Sequence, residues 1–314
     1  MSRPTIGVVG VTGAVGTVTL ELLAERDFSD VRAFASTRSA GTEVRFGRGT
    51  LIVEEATPEL LAAAELDLCL FSVGTGPSSE LVPPTAESGT TCIDKSDAFR
   101  LVDGIPLVVA GVNDEAVGGA SIVANPNCSA IQLACVLKPL HGAAGLRRVR
   151  LATYQSMSGA GDAGIERLRA VEPMRADLSM DWDLEGDEFD EEHKLRAETR
   201  KILGLPELAI QAACVRVPVL VGHAQAIWVE TEEPLSPGQA RSVLGSAPHV
   251  ELDEFPTPGS AAGRDEVLVG RIREDATQAN SLALWAVNDN LRKGAALNAL
   301  QIADLILARE PVSA

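Results

Sequence analysis

Long apolar runs are missing from this 314-residue sequence, and no stretch approaches the roughly 20 apolar residues that a membrane-spanning helix needs. Residues 1–10 also lack the charged and apolar regions of a secretory signal. We therefore expect a cytoplasmic protein that neither crosses nor binds a membrane.

Positive charge is scarce. The 27 Lys and Arg residues are outnumbered by 44 Asp and Glu residues, which gives a formal net charge of -17. Nucleic-acid backbones and anionic membrane surfaces carry the same sign, so neither is expected as a partner. The expected partners are small molecules, and an anionic one would need cationic side chains concentrated at its binding site.

Cysteines are few, scattered and odd in number: the chain has 5, without a Cys-x-x-Cys pair and without histidines at zinc spacing. We expect no disulfide and no metal site. Cys69 and Cys92 lie in strand-like runs, where a thiol is usually a small buried apolar group. Cys135 is also predicted to be a packing residue, whereas Cys128 has a different context.

What is present is the balance of a folded globular protein, with 46% hydrophobic and 23% charged residues and a length that suits two domains. Short strand-like runs alternate with helical segments from the N-terminus: "PTIGVVG", "VRAFAS", "LDLCLFSV", "TTCID" and "IPLVVAGVN" are predicted strands. This alternation predicts an α/β fold with a parallel sheet covered by helices on both faces.

The pattern changes near residue 128. After a predicted helix, "SAIQLACVLKPLHG", longer strand-like runs follow with fewer helices between them, including "LRRVRLATYQSM", "AQAIWVETEEPL" and "SLALWAVND". They predict a second domain with a largely antiparallel or mixed sheet. The acidic stretch at 180–192 is predicted to be a solvated loop that leads into a helix. The last helix, about 291–314, could pack back on the first domain.

Three glycines are spaced three residues apart in "GVVGVTGAVG", between the first strand and the first helix. Such a turn directs backbone amides and a helix N-terminus toward one point, which suits a pyrophosphate. A plain tight turn remains the alternative. The cofactor-binding candidates here are Gly10, Thr12, Gly13, Ala14, Val15 and Gly16.

The end of the second strand bears on which dinucleotide would bind. NAD-binding turns usually place an acidic residue there for the ribose hydroxyls, but this chain has Ser36, Thr37, Arg38 and Ser39. A guanidinium flanked by hydroxyls fits the 2′-phosphate of NADP. The alternative for Arg38 is an exposed loop cation.

Cys128 follows Asn-Pro-Asn and begins the helix "SAIQLACVLKPL". A helix N-terminus stabilises negative charge and so lowers the pKa of a thiol placed there. This favours a nucleophile, but a buried packing cysteine stays equally open on this motif alone.

Further motifs occur in a recognisable order: "NPNCSAIQLACVLKPLHG", "TYQSMSGAG", "EEHKLRAETRKILG", "VRVPVLVGHAQAIWVE", "VGRIR" and "NDNLRKGAALNALQIAD". With "GVTGAVG" and "ASTRSAG" at the N-terminus, the sequence resembles the aspartate-semialdehyde dehydrogenases over most of its length. The resemblance implies a Rossmann-type NADP-binding domain over 1–127. It also implies an α+β catalytic and dimerisation domain over 128–290.

The resemblance also implies the chemistry. A cysteine thiolate attacks an acyl phosphate, phosphate leaves, and hydride from NADPH reduces the thioester to an aldehyde. Cys128 matches the nucleophile, Asn127 is placed to position the carbonyl, and Gln155 matches the residue that binds the acyl region. His223 matches the general acid/base, a role that an ordinary near-neutral histidine pKa suits.

The same resemblance supplies substrate and cofactor contacts. Arg216 matches the guanidinium that grips the substrate α-carboxylate, and Glu191 matches the acceptor for its amino group. Arg100 and Lys194 match phosphate-binding cations, although a surface ion pair between Glu191 and Lys194 is an alternative. The remaining cofactor contacts are Ser158, Gly159 and Asn290.

The chain departs from the usual family pattern at Lys95, Asp97 and Gly111, and its segment over 165–190 is short. A related acyl phosphate, such as N-acetylglutamyl phosphate, is therefore an alternative substrate, and a catalytically silent binding relative is another possibility. Retention of the matched catalytic residues weighs against silence. A homodimer or tetramer is expected from the resemblance.

Overall fold

The computed structural model of the chain describes residues 4–26, 30–170 and 177–309. The chain divides into two compact units, which are Met1–Pro126 with Ala295–Ala314, and Asn127–Gly294. Among the described residues, no helix is long and apolar enough to cross a membrane.

Unit 1 contains a seven-stranded sheet in the order β3-β4-β2-β1-β5-β6-β7. All neighbouring strands are parallel except β3 and β4, which pair antiparallel at one edge. The strands are β1 Ile6–Val9, β2 Val31–Ala35, β3 Glu43–Phe46, β4 Gly49–Glu55, β5 Leu68–Phe71, β6 Thr91–Asp94 and β7 Ile122–Ala124. The predicted parallel α/β sheet is confirmed.

Helices cover both faces of this sheet because its central strands are apolar on both sides; β1 and β5 are buried at every residue. The helices are α1 Ala14–Glu25, α2 Pro58–Ala62, α3 Thr75–Glu87 and, at the end of the chain, α9 Leu297–Arg309. Leu20 of α1 and Leu300 of α9 share one core with Ile93. Leu61 of α2 and Val82 of α3 share the opposite core with Phe71.

The strand predicted over "IPLVVAGVN" is wrong, since residues 105–113 form turns with only an isolated bridge at Leu107. Their backbone pairs with β7 at one bridge, through Val108 N to Ala124 O (3.0 Å) and Ala124 N to Pro106 O (2.8 Å), and amide side chains pair other backbone groups of the segment. Asn113 donates to Leu107 O (2.9 Å) and accepts from Val109 N (2.9 Å), and Asn298 accepts from Ala110 N (3.1 Å). An apolar run alone does not distinguish these two ways of pairing.

Unit 2 contains a six-stranded sheet in the order β11-β8-β12-β15-β14-β13, with both parallel and antiparallel pairs. The strands of unit 2 are β8 Leu146–Gln155, β9 Leu184–Glu185, β10 Glu188–Phe189, β11 Ala209–Arg216, β12 His223–Thr231, β13 Val250–Leu252, β14 Val267–Glu274 and β15 Ser281–Asn288. Its helices are α4 Cys128–Ala144, α5 Gly161–Ala170, α6 Asp190–Leu203, α7 Pro237–Gly245 and α8 Pro258–Ala261. The predicted mixed sheet is confirmed.

The register of this sheet brings distant parts of the sequence to one edge. Parallel pairing of β8 with β11 places Gln155 opposite Arg216. Antiparallel pairing of β12 with β15 places His223 opposite Asn288. Since β12 also runs antiparallel to β8, the ends of β8, β11 and β15 and the start of β12 meet at the same edge.

Candidate active site

Cys128 is the first residue of α4, and its Sγ lies 3.1 Å from His223 Nε2. It is half-buried, whereas the other four cysteines are buried. Asn127 caps the helix: its side-chain oxygen accepts from Ser129 N (2.8 Å) and Ala130 N (3.4 Å). The thiol therefore sits at a capped helix N-terminus with an imidazole in hydrogen-bonding contact.

His223 is fully buried, and its Nδ1 accepts a hydrogen bond from the backbone N–H of Ser156 at 3.0 Å. An accepting Nδ1 carries no proton, so the neutral ring holds its proton on Nε2, the nitrogen that faces Cys128. Burial, and secondarily the charge of Arg216, lower the pKa of His223 to about 3. The expected near-neutral pKa is therefore wrong, because the ring has no solvent to stabilise its charged form.

A hydrogen-bond network surrounds the Ser156 segment. Ser156 Oγ donates to Asn290 Oδ1 (2.9 Å), and Asn290 Nδ2 donates to Ser158 Oγ (3.0 Å). Gly222 N also donates to Asn290 Oδ1 (2.9 Å), which ties the residue before His223 to the same amide. Ser158 and Asn290, both expected to contact cofactor, thus contact each other, and Asn290 holds the loops that carry the histidine and its partner.

Gln155 and Asn127 converge on the buried carboxylate of Glu191 in α6. Glu191 Oε1 accepts from Gln155 Nε2 at 2.8 Å and from Asn127 Nδ2 at 3.1 Å. Glu198, about two turns further along the helix, accepts from Asn127 N at 2.6 Å. Glu198 lies in the quoted "EEHKLRAETRKILG" motif but was not a predicted site residue, because only the fold shows that it contacts Asn127.

The proposed cations of unit 2 have carboxylate partners. Lys194 donates to Asp190 at 2.8 Å, four residues earlier on the same helix. Arg216 is only 5% exposed and donates through Nε to Asp181 at 2.7 Å. The sequence pattern did not single out Asp181, which lies in the acidic stretch predicted to be a solvated loop.

Gly159 is the close-approach glycine of this site. A Cβ at this position would lie 3.0 Å from both Arg216 Nη1 and His223 Cε1. A side chain would therefore enter the space next to the guanidinium and the imidazole.

In the glycine turn of unit 1, two glycines lie too close to neighbouring backbone atoms to carry a side chain. Gly10 has a φ of +86°, and a Cβ there would lie 2.4 Å from Ser72 O. A Cβ on Gly16 would lie 2.0 Å from Gly10 O, whereas Gly13 has its nearest neighbour at 3.7 Å. Gly13 caps α1 without a side-chain hydrogen bond, which leaves the first amides of the helix for an anionic ligand.

The other candidates at this turn differ in exposure. Thr12 is exposed, Ala14 is half-buried, and Val15 packs against the hydrophobic core. The Ser36–Ser39 turn follows β2 with Ser36, Thr37 and Arg38 exposed.

Thr37 Oγ1 donates to the carboxylate of Glu55 at the end of β4. No acidic residue was predicted near this turn, because strand β4, which carries Glu55, was not predicted.

Arg100 and the departures from the family pattern also lie in unit 1. Arg100 donates to Asn125 O (3.1 Å) and to Lys95 O (2.7 Å). Lys95 Nζ donates to Thr19 Oγ1 at 3.0 Å, and burial lowers the pKa of this lysine to about 7.

The other two departures have local partners as well. Asp97 accepts from Thr75. Gly111 adopts a φ of +83°, a conformation that an acidic side chain rarely tolerates.

Comparison with protein-family models matches both units. Residues 5–120 match the semialdehyde dehydrogenase NAD binding domain, and residues 180–293 match the semialdehyde dehydrogenase dimerisation domain.

Individual relatives agree over nearly the whole chain. Aspartate-semialdehyde dehydrogenase of Corynebacterium glutamicum is 43% identical, with 96% of this chain and 99% of that protein covered. The crystal structure of aspartate semialdehyde dehydrogenase II from Vibrio cholerae, complexed with ASA, superposes with a TM-score of 0.93 at 37% identity, covering 99% of this chain and 100% of that one. The Candida albicans enzyme, solved with NADP, has a TM-score of 0.79 at 25% identity and covers 98% of this chain and 99% of its own. The chain belongs to the aspartate-semialdehyde dehydrogenase family.

Proposed function

We propose that the chain converts L-4-aspartyl phosphate to L-aspartate 4-semialdehyde and phosphate, with NADPH as reductant and a thioester at Cys128 as intermediate. The observation that carries this proposal is the contact of Cys128 Sγ with His223 Nε2 at 3.1 Å, at the N-terminus of a helix. The substrate is inferred from the relatives above, which are aspartate-semialdehyde dehydrogenases.

Cys128 begins the reaction as a thiolate. The helix N-terminus and the Nε2–H of His223 both favour negative charge on sulfur. The sulfur attacks the acyl carbon, the bond to the phosphate oxygen breaks, and phosphate leaves with that electron pair. The product of this step is an acyl thioester on Cys128.

In place of the general acid/base role expected from the resemblance, we propose that His223 acts as a hydrogen-bond donor through a proton that stays on Nε2. In the free enzyme this N–H faces sulfur. Once sulfur is bonded to carbon it carries no charge, and the same N–H can stabilise negative charge on the neighbouring oxygen. When the aldehyde leaves, the restored thiolate takes the hydrogen bond back. The Ser156 N–H on Nδ1 keeps this tautomer throughout.

Substrate recognition is assigned to four charged side chains, of which Arg216 and Glu191 are buried. Arg216 offers its guanidinium to the α-carboxylate. Glu191, which already holds Gln155 and Asn127, has acceptor capacity left for the α-ammonium group. Arg100 and Lys194 are the proposed phosphate cations.

NADPH fits the residues of unit 1. The first amides of α1 at the Gly10–Gly16 turn would bind the pyrophosphate, and Arg38 with Ser36, Thr37 and Ser39 would hold the 2′-phosphate. Ser158, Gly159 and Asn290 are the proposed contacts to the nicotinamide half. When bound, the cofactor supplies the hydride that reduces the thioester. The match to a dimerisation domain supports a homodimer or a tetramer.

The first test is the reverse reaction, in which aspartate semialdehyde, phosphate and NADP+ are mixed with the protein and NADPH absorbance is followed. We expect turnover in the parent and loss of at least about a thousandfold in Cys128→Ala. Cys135→Ala, a buried thiol on the same helix, is the matched control and should keep the parental rate. Inactivity of the parent, or equal rates in Cys128→Ala, contradicts the proposal. N-acetylglutamate semialdehyde in a parallel reaction tests the alternative substrate.

The second test concerns the dinucleotide. Arg38→Ala should lower the kcat/KM preference for NADP over NAD by about tenfold or more, because a charge-assisted contact to the 2′-phosphate is lost. Arg48→Ala, which removes an exposed cation between β3 and β4, is the control. An unchanged preference in Arg38→Ala would reject its role.

A further inference from the structure

Residues 177–183, named the strap, lie against the end of β11. Ser179 and Arg216 exchange two backbone hydrogen bonds, from Ser179 N to Arg216 O (3.0 Å) and from Arg216 N to Ser179 O (2.8 Å). Arg167 of α5 donates to Ser179 Oγ (2.8 Å) and to Asp181 (3.1 Å). The strap is thus fixed to the residue that is proposed to bind the substrate carboxylate.

Arg216 needs such a partner because its side chain is only 6% exposed. A guanidinium removed from water is costly unless an anion pairs with it. Asp181 Oδ1 accepts from Nε at 2.7 Å, and the Trp182 ring lies 4.6 Å from the guanidinium carbon. Although partial burial raises the pKa of Asp181, the hydrogen bond and charge of Arg216 hold it below its usual value, so the acid is ionised.

The way in which Asp181 binds leaves the far end of the guanidinium for another ligand. Asp181 uses only Nε, and Nη1 makes a long bond of 3.3 Å to Ser156 O. Within the described parts of the chain, Nη2 makes no hydrogen bond. Nη1 also borders the space at Gly159, which His223 borders too. Nη1 therefore lies close to the imidazole of the catalytic pair.

We propose that Asp181 and Trp182 are positioning residues that hold the Arg216 guanidinium in the orientation required to bind the substrate carboxylate. This inference rests on the proposed function. Asp181 fixes the Nε side, Trp182 fixes the plane, and the two terminal nitrogens remain for a carboxylate fork. Asp181 does not occupy the substrate's place, because it contacts the opposite side of the guanidinium.

The opposite interpretation, in which Asp181 competes with substrate for Arg216, makes an opposite prediction. Asp181→Asn removes a negative charge beside the site. If Asp181 were a competitor, the KM for aspartate semialdehyde would fall in this variant. If Asp181 positions Arg216, that KM rises by about tenfold or more, while kcat and the KM for NADP+ change by less than about twofold.

Matched variants separate positioning from general charge and folding effects. Asp183→Asn makes the same charge change two residues away on an exposed side chain and should leave the KM for aspartate semialdehyde unchanged. Asp181→Glu should restore much of the parental KM, and Trp182→Phe should be milder than Trp182→Ala. Equal KM values for Asp181→Asn and Asp183→Asn would overturn the proposal, as would a lower KM in Asp181→Asn.

A readout without turnover distinguishes failure of this inference from failure of the proposed function. Iodoacetate carries a carboxylate and iodoacetamide does not, so the ratio of their alkylation rates at Cys128 reports on the neighbouring cation. We expect this ratio to fall several-fold in Asp181→Asn and to stay parental in Asp183→Asn. An unchanged or higher ratio in Asp181→Asn, whatever the enzyme turns over, would refute the positioning role.

Discussion

Lowering the pH should reduce the stability of the fold, because His223 is buried as a neutral imidazole. Its pKa is lowered by burial from 6.5 to about 3. Between these values the unfolded chain binds a proton at His223 that the folded chain does not. The stability that this neutral ring contributes is therefore complete above pH 6.5 and is lost progressively as the pH falls toward 3. At 1.36 kcal/mol per pKa unit, the full loss is about 5 kcal/mol.

Between pH 8 and pH 4.5 the expected loss from His223 alone is about 3 kcal/mol. Urea unfolding at these two pH values should show that His223→Gln loses less stability on acidification than the parent does. If both proteins lose the same stability, the histidine is not held neutral in the folded state.

Imidazole NMR gives the direct measurement, since the chain has only 4 histidines and His223→Gln assigns the relevant signal. We expect no titration of His223 from pH 5 to pH 8 and nitrogen shifts typical of a proton on Nε2. A midpoint near 6.5, or a proton on Nδ1, would refute the reasoning about Ser156 N and burial. The pH profile of kcat/KM should accordingly lack an inflection from this ring.

Three further changes have defined outcomes. Lys95→Met should raise the unfolding temperature of unit 1 at pH 6, because a buried lysine with a pKa lowered to about 7 is still charged at that pH and its charge destabilises the fold. The increase should become smaller toward pH 10, where the folded lysine is neutral. An equal increase at both pH values would contradict this. Gly16→Ala should lower the unfolding temperature by several degrees, because a Cβ on Gly16 would lie 2.0 Å from Gly10 O. Gly13→Ala should have little effect, because a Cβ there would lie 3.7 Å from its nearest neighbour, and calorimetry of both variants measures the difference. Glu191→Ala should destabilise unit 2 by about 3 kcal/mol in urea unfolding, because it leaves the buried amides of Gln155 and Asn127 without their acceptor. A loss of stability below about 1 kcal/mol would show that those amides find other partners.

Much of the fold follows from local sequence pattern. "GVVGVTGAVG" predicts a strand, a turn and a helix because each depends on neighbouring residues, and β1 and α1 occur there. The strands β8, β12 and β15 are also predicted, because each is a long β-branched or alternating run. The parallel first sheet and the mixed second sheet follow from the spacing of these elements.

What the pattern does not provide depends on contacts between distant residues. Residues 105–113 are as apolar as a strand, but amides from Asn113 and Asn298 pair with their backbone. The edge strand β3 and its neighbour β4 contain one fully buried residue between them, Val53, so they have no continuous buried face.

The same limit applies to the candidate site. A histidine's residue type predicts a near-neutral pKa, whereas complete burial sets the value for His223. The contact of Asp181 with Arg216 joins residues 35 positions apart, so no periodic pattern in the sequence predicts it.

The edge of the second sheet also governs how an unfolded chain would regain activity. Gln155, Arg216, His223 and Asn288 come from four strands spread over more than a hundred residues, and Cys128 is 95 residues from His223. Contacts of such long sequence separation close late and slowly in folding. Because Asn288 on β15 pairs with His223 on β12, we expect a fragment of unit 2 that lacks β15 not to assemble the site. Recovery of a reactive Cys128 during refolding should therefore coincide with the last strand pairing, and not with the earlier appearance of helical structure in α4.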